Sequence, residues 1–177
     1  MMNMDSSRDF LRQIHRDNQL ISKHVTFGDV TKCFVPNVNN FPNTLYKQNL
    51  IRLANEVYEP LIDCFGDNFT ILGAFQCKEA CSKMGKKMPN QYMLGEAFDF
   101  TVNENSGLNN SEIFEHIYHW LPYDVLTWRV PIDDSGLMFP VTSPIWITVT
   151  LKKLNNRHIA NREHWEDGLL FTNRIYR

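Results

Sequence analysis

The stretch from Thr44 to Gly66 constrains this chain more than any other. Leu50, Ile51, Leu53, Ala54, Val57, Tyr58, Leu61, Ile62 and Phe65 recur at helical spacing, so a broad apolar face must be buried against something large. Gly66 supplies a left-handed stop, and Pro60, which has no N–H for an interior turn, predicts a kink or a restart. The partners for that face are the strand-like segments Phe69 to Phe75, Ala97 to Val102, Val125 to Val130 and Ile145 to Leu151. In the last of these, Ile145, Ile147, Val149 and Leu151 share one side while Trp146, Thr148 and Thr150 share the other. Ser111 to Trp120 reads as a second helix, capped by Asn110 or Ser111, and Cys77 to Met84 as a short one. Helices precede and interrupt the strands, which predicts an α+β class with a small antiparallel sheet and helices packed on it.

Three regions follow from this pattern. Residues 1–23 form an N-terminal helical extension, in which residues 6–22 carry Phe10, Ile14 and Ile21 at near-helical spacing behind Ser6 or Ser7. Residues 24–151 form the main domain, beginning with a Pro- and Asn-rich stretch to Asn43 that reads as a long loop or a set of short turns. Residues 152–177 form a C-terminal arm. Its basic residues Lys152, Lys153, Arg157, Arg162, Arg174 and Arg177 outnumber Glu163, Glu166 and Asp167, and aromatics are interleaved among them. Its apolar positions Ile159, Trp165, Leu169, Leu170 and Phe171 either cover the domain's own sheet or bury against another subunit. The second reading makes Trp165, Leu169, Leu170 and Phe171 the partner-binding candidates.

Composition excludes more than it identifies. At 177 residues and 43% hydrophobic content the chain can fill a core without staples. The formal charge of -2 gives no overall attraction for nucleic acid or an anionic membrane. No apolar run approaches the ~20 residues of a membrane span, and Asp5, Arg8 and Asp9 stand where a signal peptide would be apolar. Cys33, Cys64, Cys77 and Cys81 lack paired CxxC spacing and read as free thiols in a reducing compartment.

Four segments in order carry a resemblance. They are the Asn39 to Pro42 turn followed by the helix Asn49 to Leu61, the strand Ile71 to Gln76, the stretch Asn90 to Asp99, and Ile145 to Thr148. Together they resemble the zinc D-Ala-D-Ala carboxypeptidase and Hedgehog-like superfamily, in the small form described as a peptidase domain of bacteriophage endolysins. Gly95, Ala97 and Asp99 keep the frame of that family's SxHxxGxAxD motif.

The resemblance implies a zinc ion held by a histidine, an aspartate and a second histidine, with one open position for the attacking water. Asp99 matches the aspartate, but Tyr92 and Thr148 stand at the histidine positions. The family's general-base glutamate matches Arg129, a permanent cation, and its carbonyl-steadying arginine falls on Gln76. A vestigial pocket of Tyr92, Asp99, Thr148, Arg129 and Gln76 is therefore expected, with no catalytic residue, no metal ligand and no cofactor. Without zinc, Asp99 needs a compensating partner. Arg129 can bridge to it, or Asp99 can accept hydrogen bonds from backbone or from the Tyr92 hydroxyl; both arrangements stay open at this point.

Other constellations are weaker. His116 and His119 are i,i+3 on one helix without an evident third ligand, Cys77 and Cys81 lack a nucleophile signature, and Lys86 with Lys87 is too small a patch for nucleic acid. The expectation is a catalytically inactive peptidase-like domain acting as a structural or interaction protein. The family resemblance points to a phage tail, baseplate or other particle component, assembled in the bacterial cytoplasm beside other virion proteins or copies of itself. Two alternatives accompany it: a peptidoglycan-degrading zinc peptidase with a rebuilt metal site, and a cell-wall-binding module that does not cleave.

Overall fold

The computed structural model describes residues 13–14, 16–130, 145–166 and 169–175. Among the described residues, whole α-helices run over Phe27–Thr31 (α1), Thr44–Leu53 (α2), Glu59–Phe65 (α3), Lys78–Lys83 (α4) and Asn110–Trp120 (α5). The strands are β1 (Phe69–Gly73), β2 (Ala97–Val102), β3 (Val125–Arg129), β4 (Trp146–Thr150), β5 (Ile159–Glu166) and β6 (Leu169–Ile175). They form one six-stranded sheet in the order β1-β2-β4-β3-β5-β6. The class is α+β, but the sheet is mixed, because β5 runs parallel to β3 while the other pairs are antiparallel. That corrects the all-antiparallel expectation.

The long apolar helix is present with an irregular middle. A π-helical turn, Ala54–Tyr58, joins α2 to α3. Pro60, in the first turn of α3, can neither donate to the carbonyl of Glu56 nor tolerate its ordinary approach, and the wider turn gives the ring room. Gly66 closes α3 at φ 77°, its N–H donating to Ile62. Two smaller expectations also shift. The stretch 24–43 contains α1, whose Thr26 and Asp29 form a reciprocal capping box, and α5 begins one residue early because Asn109 caps it. The N-terminal helix falls mostly outside the described residues. Its described end is helical at residues 13–14 and 16–17, and the chain has left the helix by Leu20, which bridges to Thr26.

Alternation divides the sheet into two unlike faces. Phe98, Phe100, Ile147, Val149, Leu126, Trp128 and Ala160 are buried on one of them. Against them pack Leu50, Leu53, Val57, Tyr58 and Leu61 from the long helix and Ile113, Phe114 and Ile117 from α5. Tyr58 sits edge-on to Phe69, Phe98 and Phe100 at 6.1, 6.2 and 6.1 Å, and Phe114 meets Trp128 at 5.4 Å. The opposite face is polar. One rung of it follows the register Gly73, Asp99, Thr148, Thr127, Asn161, Arg174 across all six strands. No helix among the described residues is long and apolar enough to cross a membrane.

The C-terminal arm is not a free-standing element. It supplies β5 and β6, and a buried carboxylate fastens it: Asp124 accepts from the Arg157 backbone N–H at 2.9 Å, from Arg157 Nε at 3.0 Å and from Arg157 Nη2 at 2.6 Å. Lys152 Nζ lies 3.1 Å from the same group. Burial pushes the Asp124 carboxyl up, but the Arg157 and Lys152 hydrogen bonds outweigh it and hold the pKa at about 2.

A candidate site on the polar face

Two local features bring the motif residues together. The turn before β2 is fixed by Gly95, whose φ is 68° and where a Cβ would stand only 2.4 Å from the carbonyl oxygen of Tyr46 on α2. Asn49 of α2 donates to the Leu94 carbonyl at 2.9 Å, so helix and turn are sewn together and Tyr92 is presented to the sheet. Asn40 does the same for the other wall. Its amide donates to the carbonyls of Thr31 and Phe75 at 3.0 and 2.8 Å, and its oxygen accepts from Cys77 N–H at 2.7 Å. This fixes the Asn39 to Pro42 turn beside Gln76.

At the centre, Asp99 accepts from the Tyr92 hydroxyl at 2.8 and 2.9 Å, one distance to each carboxylate oxygen. The Thr148 hydroxyl donates to Asp99 Oδ1 at 2.5 Å and accepts from Arg129 Nε at 2.8 Å. Arg129 then donates through Nη1 to Glu163 Oε1. A continuous polar chain thus crosses four adjacent strands, from β2 through β4 and β3 to β5. Lys86 stands over the Tyr92 ring, 4.1 Å from its centroid.

Of the two partners open to Asp99, the hydroxyls make the direct contacts. Arg129 reaches the carboxylate through Thr148 and spends its direct ion pair on Glu163. Gln76 joins through its backbone, donating to the Tyr92 carbonyl at 3.2 Å. Its amide nitrogen and Asp99 Oδ2 both border the space above Gly73, at 3.9 and 3.7 Å from where a Cβ would be. Tyr92, Asp99, Thr148, Arg129 and Gln76 therefore lie together on the polar face.

Glu163 is the participant that sequence reasoning missed. The pairing of Trp128 with Arg162 sets Glu163 beside Arg129, and only the parallel register of β5 reveals it.

Electrostatics follow from burial. Desolvation raises the Asp99 pKa, opposed by the Thr148 and Tyr92 hydrogen bonds and by the charges of Arg129 and Lys86. Desolvation and the neighbouring Asp99 charge push the Tyr92 phenol well above its usual range, so it stays a protonated donor. Lys86 is shifted down, first by burial.

This donor set does not fit a zinc ion: one carboxylate, a protonated phenol and a neutral hydroxyl, with a guanidinium bonded to that hydroxyl. No group of three or more metal-ligating side chains occurs among the described residues.

The remaining candidates disperse. His116 packs edge-on to Phe65 at 5.0 Å, and His119 lies 3.5 Å from Glu115. Cys81 is buried with its thiol 3.5 Å from the Gln76 carbonyl, and all four cysteines are free. Lys86 turns onto Tyr92 while Lys87 is exposed. Of the partner-binding candidates, Trp165 pairs in register with Leu170, Glu166 with Leu169 and His164 with Phe171, which is 41% exposed. They lie on strands that extend the sheet at its edge rather than cover it.

No protein-family model matches the chain, and no curated protein matches it.

Proposed function

We propose that this protein is a catalytically inactive peptidase-like domain, a degenerate relative of the zinc D-Ala-D-Ala carboxypeptidase and Hedgehog-like superfamily. In this reading it serves as a structural or interaction component of a phage particle assembled in the bacterial cytoplasm. The observation that carries it is the closure of Asp99: hydroxyls from Tyr92 and Thr148 occupy the carboxylate, and Arg129 sits where the family resemblance implies a general base. A hydrolase needs an open coordination position and a proton acceptor free to work, and here the Asp99 carboxylate is taken by two hydroxyls and that of Glu163 by Arg129. A metal site rebuilt from His116 and His119 meets a geometric obstacle, since α5 packs on the apolar face of the sheet and Asp99 lies on the other. The particle assignment rests on the resemblance alone.

The test is direct. Metal analysis of purified protein and a cleavage assay on purified peptidoglycan should give substoichiometric zinc and no turnover. Tightly held zinc at one per chain with measurable hydrolysis would overturn the reading.

A further inference from the structure

Lys86 stands apart from the other half-buried lysines, which among the described residues are Lys47 and Lys152. Lys47 Nζ donates to Gln19 at 3.0 Å, and Lys152 Nζ lies 3.1 Å from Asp124. Lys86 has no hydrogen-bond acceptor or ion-pair partner among the described residues; its ammonium rests on the Tyr92 ring, 4.1 Å from the centroid. Its backbone is fixed where α4 ends, since Gly85 turns left-handed at φ 65° and the Lys86 N–H donates to the Cys81 carbonyl at 3.0 Å. The Tyr92 and Asp99 pair beneath it also borders an opening. Tyr92 bonds both oxygens of Asp99, and Asp99 Oδ2 faces the space above Gly73, where an added Cβ would meet only ordinary contacts at 3.7 and 3.9 Å. The Gln76 amide nitrogen, the other border of that space, makes no hydrogen bond among the described residues.

We propose that Lys86 is a covalent attachment site whose amine condenses with a small aldehyde, forming an imine over the Tyr92 ring. A C–N bond forms, the carbonyl oxygen leaves as water, and neither oxidant nor reductant is needed. From ammonium to iminium the step conserves one positive charge. That selects an aldehyde over an acyl donor: an amide would cancel a cation that acts on Asp99 together with Arg129 and that the Tyr92 ring attracts, whereas an iminium keeps it. An amine engaged by no carboxylate is free to attack. Burial lowers its pKa against the opposing charge of Asp99, which enlarges the unprotonated fraction. The Gln76 amide supplies a donor for the carbonyl oxygen as it gains charge. This inference rests on the zinc-free reading of the pocket, but labelling at Lys86 and metal content are separate measurements, so either can fail alone.

The probe is acetaldehyde with cyanoborohydride, which reduces each imine to a stable ethylamine, followed by tandem mass spectrometry of peptides from the full chain. Lys87 is the internal control, being the next residue and exposed. Lys86 should be ethylated at least about fivefold faster than Lys87 in the folded protein, and the two rates should converge in concentrated urea. Gln76→Leu should slow labelling of Lys86 at least about threefold and leave Lys87 unchanged, with its melting temperature confirming a folded chain. A folded-state rate at Lys86 no higher than at Lys87 would overturn the inference without any variant. So would a preference that persists in urea, which would trace it to the local sequence, or a folded Gln76→Leu chain that labels Lys86 as fast as the parent.

Discussion

Asp124→Asn isolates the contribution of the buried clamp that fastens β5 to the rest of the sheet. The carboxylate side chain is 0% exposed, whereas Arg157 and Lys152 retain 48% and 33% exposure. Substitution therefore strands no cation in the interior, and the loss is close to the value of the charged hydrogen bonds themselves. A carboxyl lowered from 3.8 to about 2 corresponds to roughly 2–3 kcal/mol at 1.36 kcal/mol per unit. For a chain of this size that is a fall in melting temperature of roughly 5–10 °C at neutral pH. The sign in acid follows from linkage: a depressed folded pKa contributes stability above the unfolded value and loses it as pH falls through the folded one. Urea unfolding of parent and variant should show a constant gap from pH 7 to about pH 4 that narrows steadily towards pH 2. Equal midpoints at pH 7, or a gap that does not narrow in acid, would refute the assignment of the clamp.

Asp99 carries the opposite sign. Its raised pKa means that ionisation at neutral pH opposes folding, so Asp99→Asn should raise the urea midpoint at pH 8, with the gain fading as pH falls through the folded pKa; a loss of stability at pH 8 would contradict it. Gly95→Ala should destabilise by about 2–5 kcal/mol in the same assay, combining a left-handed backbone with a Cβ overlapping the Tyr46 carbonyl, and a near-neutral result would mean that the turn is not held against α2. Tyr92→His combined with Thr148→His should raise zinc affinity at least tenfold by calorimetry. No gain would count against the family alignment through Asp99.

Local signals identified most elements because they were locally encoded. Ala97 to Val102 is a strand over the residues its β-forming content predicts, and the alternation from Ile145 to Leu151 separates Thr148 from Ile147 as the two-faced sheet requires. The grouping of Tyr92, Asp99, Thr148 and Arg129 has no such local signal; it was expected only through the family resemblance, and the register that sets Asp99 opposite Thr148 belongs to the sheet. What escaped depends on pairing between distant segments. Nothing in Ile159 to Glu166 announces that it will lie parallel to β3, so Glu163 could not be matched with Arg129, nor Arg157 with Asp124. The Thr26 and Asp29 capping box was visible in principle, hidden among the Asn and Pro residues that favour turns. The π turn has a cue in Pro60, but its place four residues earlier is set by how the helix seats on the sheet.

The parallel strand also makes one ion pair a seam between distant parts of the chain. Arg129 and Glu163 meet only because β5 lies beside β3, and the Thr148 hydroxyl is the other partner of that guanidinium. Parting β5 from β3 would therefore remove the carboxylate that balances Arg129 and leave its charge on the side of Asp99. The position of the last two strands and the charge balance around Asp99 are thus one variable.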